Sequence, residues 1–218
     1  MNIKAAIFDL DGTLVDSLML WDIFWSALGE KYLGDKRFKP TKEDDHKVRT
    51  LTLKDAMDLI HTNYNFGNSG EELLEFSNKT IFEFYSKDVL LKSGVREFLD
   101  YLKTKGVKMC IASATSSDLL EIALTHCDIK KYFSKVFSCV DIGKGKEEPD
   151  IFLKAYEFLG EPKEETYVFE DSITAIETAV KIGIPTVGIY DKYNNGQEKI
   201  KKIANEYIAK GETLLKLI

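Results

Sequence analysis

Residues 3–13, Ile3-Lys4-Ala5-Ala6-Ile7-Phe8-Asp9-Leu10-Asp11-Gly12-Thr13, form an apolar run that stops abruptly at two aspartates and a glycine. A short, continuous apolar run reads as a strand buried on both faces, as in a parallel sheet covered by helices on each side. Similar runs recur at 107–112, 135–140, 166–169 and 185–190. Between them lie amphipathic stretches with apolar residues at helical spacing. Val95, Phe98, Leu99 and Leu102 share one face of 94–105. Leu119, Leu120, Ala123 and Leu124 do so in 116–127, Ile151, Phe152, Ala155, Phe158 and Leu159 in 150–159, and Ile176, Ala179, Val180 and Ile182 in 173–182. Gly183 and Pro185 then supply a helix stop. Strands alternating with helices of this length predict an α/β fold, an open and mostly parallel sheet with helices on both faces.

One stretch breaks the alternation. Residues 15–87 are helical in pattern throughout, with polar loops at 34–40 and 63–70. They read as an inserted α-helical domain. The sheet domain then comprises 1–14 and 88–218, and its tail, 197–218, is expected to hold a helix, a short strand at 207–209 and a final amphipathic helix.

Composition limits the function classes. The 218 residues are 44% hydrophobic and 30% charged, an ordinary globular balance, so a wholly disordered chain is excluded. Thirty basic against thirty-six acidic residues give a net charge of −6, with no basic surplus to neutralise a nucleic-acid polymer. Cys110, Cys127 and Cys139 are odd in number and widely spaced, which suits reduced, buried thiols in a cytoplasmic protein. Two aspartates interrupt the N-terminal apolar run where a signal peptide would continue. No apolar stretch approaches the ~20 residues of a membrane span. A monomer is the default expectation.

In an open α/β sheet, ligands bind at the carboxyl ends of the strands. Polar clusters fall at those ends: Asp9, Asp11, Gly12 and Thr13 after the first strand, Ser113 after the second, Lys146 in the loop after the third, Glu170 and Asp171 after the fourth. Four carboxylates packed together cannot all stay ionised unless a cation joins them. With oxygen ligands and no His or Cys, that cation is expected to be hard, Mg²⁺ above all. One carboxylate is then free to attack phosphorus as a nucleophile, and a second can protonate the leaving oxygen. Ser113 and Lys146 supply a donor and a fixed positive charge for a transferring phosphoryl group.

Asp9-Leu10-Asp11-Gly12-Thr13-Leu14-Val15-Asp16-Ser17 resembles the first signature of the haloacid dehalogenase superfamily. Ser113, Lys146 with Pro149-Asp150, and Glu170-Asp171-Ser172 stand in the order of its other three motifs. The insertion resembles the helical cap of the branch that holds phosphoglycolate phosphatases and β-phosphoglucomutases, and the likeness spans essentially the whole chain. It implies a Rossmann-like core and a Mg²⁺-dependent phosphatase acting on a small phosphorylated metabolite. Asp9 is the implied nucleophile and a metal ligand. Asp11 is the implied general acid/base, its backbone carbonyl also on the metal. Asp171 is implied as a direct metal ligand, with Glu170 beside it or acting through water. Ser113, Ala114 and Lys146 are the implied phosphate-binding residues. The chain departs from the pattern in having Glu147 for a proline after the lysine and Ala175 for a glycine after the fourth motif.

Competing readings are specific. Ser113 could cap the following helix, a role open equally to Thr115 or Ser116. Lys144 is expected to be the exposed lysine of its loop, and Gly143-Lys144-Gly145-Lys146 lacks the Walker spacing. Trp21, Phe24, Trp25 and Leu28 form an aromatic stripe at helical spacing, with Trp25 expected in the core. Trp21 and Arg49, the latter with Thr52 and Lys54, fall where related caps meet substrate. His46 and His61 are expected at the surface. The alternative chemistry is phosphoryl transfer between sugar positions, as in a β-phosphoglucomutase; mutases of the branch carry a histidine where Trp21 stands. Asp11 argues against a dehalogenase, which needs no proton for halide, and against a phosphonatase, which lacks an acid there. The presence of every reacting group argues against an idle ligand sensor.

Overall fold

The structure, a computed structural model, describes residues 1–49, 51 and 53–218; the side chain of His46 lies outside that description. The chain divides into two units, one formed by residues 1–17 and 89–218 and one by residues 18–88. Val15, Asp16 and Ser17, read from sequence as part of the insertion, belong with the sheet. The reason is pairing: Val15 bridges Leu91, and the Asp16 amide donates to the Leu90 carbonyl at 2.9 Å.

Six strands are present among the described residues: β1 (Ala5–Phe8), β2 (Lys108–Ser113), β3 (Lys135–Ser138), β4 (Thr166–Glu170), β5 (Thr186–Ile189) and β6 (Glu206–Ile208). They form one parallel sheet in the order β3-β2-β1-β4-β5-β6. Every residue of β1 is buried, as its uninterrupted apolar character requires. Ala5 and Ile7 pack on one face with Cys110, Ala112 and Val168. Phe8 points to the other, its ring 4.4 Å from that of Phe169 and 6.4 Å from that of Phe98. The strand order reverses between β1 and β4, and such a switch point leaves a crevice at the carboxyl ends of the two strands.

The helical unit contains α1 (Leu20–Leu33), α2 (Lys42–Val48), α3 (Leu53–Tyr64) and α4 (Gly70–Glu83), followed by a π-helical turn at Phe84–Asp88. Thr41 and Ser69 cap α2 and α4, each hydroxyl accepting from the amide three residues on. The unit has its own core, in which Phe24, Trp25 and Leu28 of α1 meet Met57, Ile60, Phe66 and Leu73. Trp25 is fully buried as expected, its indole donating to Asp45 Oδ1 at 2.9 Å. His61 is half-buried instead of exposed, because its Nδ1 lies 2.8 Å from the Phe66 carbonyl.

The sheet unit adds α5 (Val95–Thr104), α6 (Ser117–His126), α7 (Cys139–Ile142), α8 (Asp150–Leu159), α9 (Ile173–Lys181) and α10 (Gln197–Ile203). The α8 and α9 stripes bury Ile151, Phe152, Ala155, Ala175 and Ala179 against one face of the sheet, while Phe98 of α5 lies on the other. Ala175, the departure from the family's glycine, places its methyl in that core. The run at 135–140 is shorter as a strand than its sequence suggests. Ser138 accepts from the Val140 amide at 3.1 Å and starts the one-turn α7, which Gly143 ends at φ +76°. The C-terminal segment closes with a 3₁₀ turn at Leu214–Leu217 in place of the amphipathic helix. The three cysteines are buried and free.

Candidate active site

Strand register brings the two acidic pairs together. Phe8 pairs with Phe169, and the Asp9 amide donates to the Phe169 carbonyl at 3.0 Å, so Asp9 emerges beside Glu170 at the switch point. Gly12, at φ +77°, then turns the chain so that its amide reaches the Val15 carbonyl at 3.0 Å, and a side chain there would be strained. Asp9, Glu170 and Asp171 are all buried, and one oxygen from each falls within 4.8 Å of the others.

Lys146 enters this cluster from the loop that Gly143 releases. Its ammonium lies 2.6 Å from Asp9 Oδ1 and 2.6 Å from Glu170 Oε2, with the side chain only 10% exposed. Burial pulls its pKa down, but Asp9 and Glu170 outweigh that and hold it above the ordinary lysine range. Lys144 is exposed and pairs with Asp150 at 2.8 Å, outside the cluster. Glu170 turns its second oxygen to the amides of Asp171 and Ser172, at 3.2 and 3.0 Å, where α9 begins.

Burial pushes the Asp9 carboxyl up to about 7, against the pull of Lys146. Burial, with Glu170 and Asp9 nearby, raises Asp171 as well. Asp171 Oδ1 accepts from the Thr13 hydroxyl at 2.9 Å, and Oδ2 accepts from the Asn194 amide group. Each carboxylate oxygen retains acceptor capacity beyond these bonds. A buried, all-oxygen set of three carboxylates opposed by one ammonium fits a hard divalent cation.

Asp11 is held separately. Ser17 donates to Oδ1 and Thr115 to Oδ2, each at 2.7 Å. Ser113, buried at the end of β2, accepts from the Thr115 amide at 3.2 Å; the N-cap of α6 is Ser116, whose side chain makes no capping bond. Thr115 therefore turns its hydroxyl to Asp11, and the N-cap position of α6 belongs to Ser116. Ala114, between Ser113 and Thr115, is exposed. The sequence offers Thr115 only as an alternative helix cap, and it gives no signal for Asn194, which follows β5 in a loop with no motif of its own.

In the helical unit, Arg49 follows α2 with its side chain one-fifth exposed. Its guanidinium grips Asp45 through two bonds of 3.1 Å, lies 3.5 Å from Asp22 and reaches the Leu18 carbonyl. Trp21 is half-buried, edge-on to Phe24 at 6.0 Å. Lys54 pairs with Asp58 at 3.2 Å. Thr52 lies outside the described residues.

A family model of haloacid dehalogenase-like hydrolases matches residues 6–189. A phosphorylated carbohydrates phosphatase of Thermotoga maritima is 28% identical over 196 residues, covering 89% of this chain and 88% of that protein. A phosphoglycolate phosphatase of Shigella boydii is 26% identical, covering 90% and 84%. Among solved structures, a candidate β-phosphoglucomutase from Thermotoga maritima superposes with a TM-score of 0.84 at 25% identity, covering 99% of this chain and 98% of that one. No helix among the described residues is long and apolar enough to cross a membrane.

Proposed function

The chain belongs to the haloacid dehalogenase-like hydrolases, and from that membership we propose that it is a Mg²⁺-dependent phosphatase that hydrolyses a small phosphomonoester through a phosphorylated Asp9. The observation that carries the reading is the ammonium of Lys146 set between Asp9 and Glu170, inside a buried carboxylate trio.

Asp9, Glu170 and Asp171 would hold the ion, with the Asp11 backbone carbonyl. Bound Mg²⁺ would neutralise the carboxylates and stabilise charge on the transferring oxygens. The Asp9 carboxylate attacks phosphorus, and the bond from phosphorus to the ester oxygen breaks. Asp11 is assigned as the general acid, passing a proton to the departing oxygen. As a carboxylate it then takes a proton from water, whose oxygen attacks the same phosphorus and releases Asp9 and inorganic phosphate. Ser17 and Thr115 fix Asp11 for both transfers. Ser113 and the Ala114 backbone orient the phosphoryl oxygens, and Lys146 adds a fixed charge to them.

Residues 18–88 are assigned the part of a cap that sets substrate choice, with Trp21 and Arg49 the residues to test. The buried thiols suit a reducing, cytoplasmic compartment, and we take the protein to act as a monomer. A second reading, mutase chemistry, is favoured by names only: that of the structural neighbour, and those of relatives called β-phosphoglucomutase that are 24% identical over 227 residues. One experiment separates the two: phosphate release from a panel of phosphomonoesters with and without Mg²⁺, beside isomer formation from a sugar 1-phosphate primed with its bisphosphate. Release that needs Mg²⁺ and outpaces isomer formation supports the phosphatase. Faster isomer formation reverses the assignment, and release unaffected by chelation removes the metal-dependent mechanism.

A further inference from the structure

Away from the carboxylates, a second, part-buried ion pair joins residues nearly a hundred positions apart. The Lys92 ammonium lies 2.8 Å from Asp191 Oδ2, with the two side chains 20% and 4% exposed. It also donates to the Tyr190 carbonyl at 3.3 Å and to the Gly12 carbonyl. An ammonium has three donors and no acceptor. Here each donor meets one acceptor, two of them on the loop after β5 and one on the turn after β1. The Lys92 amide is itself tied to the Leu14 carbonyl at 2.9 Å.

Both segments carry site residues. The turn after β1 bears Asp9, Asp11 and Thr13. In the other loop, Asp191 organises the residues up to α10: its Oδ1 accepts from the Tyr193 amide at 2.9 Å, and its carbonyl accepts from the Asn194 amide at 3.3 Å and from Gln197 Nε2 at 3.2 Å. Asn194 then donates to the Asp171 carboxylate and, at 3.2 Å, to the Asp171 carbonyl. Asp171 is thus gripped from both sides, by Thr13 from one loop and Asn194 from the other. A pair of such grips sets a carboxylate only if the loops keep a fixed separation.

We propose that Lys92 is a positioning residue of the acidic site, a tethered cation that locks the turn after β1 to the loop after β5 and thereby sets the Asp171 carboxylate through Thr13 and Asn194. The charged neighbours on the adjoining groove, Asp16, Lys192, Lys210 and Glu212, make no bond to the ammonium that would replace these three. The naming of Asp171 as a metal ligand rests on the phosphatase reading; the locking of the loops does not.

The test has two parts. In metal-free protein, amide hydrogen exchange is compared among wild type, Lys92→Met and Asp191→Asn; the second variant keeps the side chain's shape should the first not fold. Exchange at Gly12, Leu14, Tyr193 and Asn194 is expected to quicken together by about tenfold or more, with β1 and β4 unchanged. Quickening confined to one loop, or to neither, overturns the lock. Calorimetric Mg²⁺ affinity is then measured for Asp191→Asn, Asn194→Ala and their double variant. Removal of such outer-shell partners typically weakens metal binding by about 10- to 100-fold. The double variant is expected to be no weaker than the worse single one, because both act through one path. Effects that simply multiply, or single variants with wild-type affinity, overturn the link to Asp171. A wild-type protein that releases no phosphate from any ester removes the proposed reaction and leaves the exchange result standing.

Discussion

Asp9 and Glu170 accept from the same ammonium: Lys146 Nζ lies 2.6 Å from an oxygen of each. The two carboxylates come from strands adjacent in the sheet and distant in sequence, and the lysine comes from a loop on neither strand. With Asp171 included, the cluster keeps a surplus of negative charge in a buried place, and the molecule's pH and metal responses arise from that surplus.

The first concerns pH without metal. Asp9 sits at about 7 in the folded protein, against 3.8 for an unperturbed aspartate. Between those values the folded state holds a proton that the unfolded chain has released. Stability from this group is complete below about pH 4 and is lost as pH rises through about 7. Asp171, raised for the same reason, acts in the same direction. In EDTA, wild type should lose stability from pH 5 to pH 8, and Asp9→Asn should lose less. The variant should exceed wild type at pH 8 by about 2–4 kcal/mol. Urea titrations at the two pH values measure this; equal slopes for both proteins would contradict it.

Divalent ions should reverse that deficit. An ion that binds only the folded state stabilises by about 2.7 kcal/mol at a hundred times its Kd. Mg²⁺ should therefore raise the melting temperature of wild type at pH 8 in a concentration-dependent way. Asp171→Asn should abolish most of the rise, whereas Lys144→Ala, outside the cluster, should leave it intact. A rise of equal size in Asp171→Asn would place the ion elsewhere.

Much of this was legible in the sequence because parallel strands buried on both faces leave continuous apolar runs, and α/β topology places the ends of such runs on one edge. The run before Asp9 and the run before Glu170 were enough to put both acidic pairs at a sheet edge, and oxygen-only chemistry suggested the ion. Three things were not legible. The boundary at Ser17 depends on the pairing of Val15 with Leu91, a contact across the whole insertion. The end of β3 depends on Ser138 capping α7 instead of continuing the strand. Asn194 reaches Asp171 from a loop whose course is set by Asp191 and, through it, by Lys92, and no local pattern encodes a contact between residues so far apart.

Asp11 provides a test of orientation. Ser17 and Thr115 hold its two oxygens at 2.7 Å each. Ser17→Ala and Thr115→Val should each lower kcat by about tenfold, with little change in KM, since neither hydroxyl is needed to bind substrate. Steady-state kinetics at saturating Mg²⁺ reads the split. A rise in KM at constant kcat would make these hydroxyls substrate contacts instead.

In the helical unit, the Trp25 indole donates to Asp45, which also receives the Arg49 guanidinium. Trp25→Phe removes that donor from a fully buried position and should cost about 1–3 kcal/mol. Chemical denaturation monitored by circular dichroism measures it; a loss under about 0.3 kcal/mol would show that Arg49 alone satisfies Asp45.

The proposed reaction depends most on Asp9 becoming phosphorylated. Enzyme mixed with a turned-over phosphomonoester and Mg²⁺, quenched in acid within the first turnover and reduced with borohydride, reports an acyl phosphate by mass spectrometry of its peptides. The expected result is reduction at Asp9 and at no other carboxylate, absent without substrate and absent in Asp9→Asn. Full turnover with Asp9 unmodified throughout, or modification at Asp11 or Asp171 in its place, would contradict it.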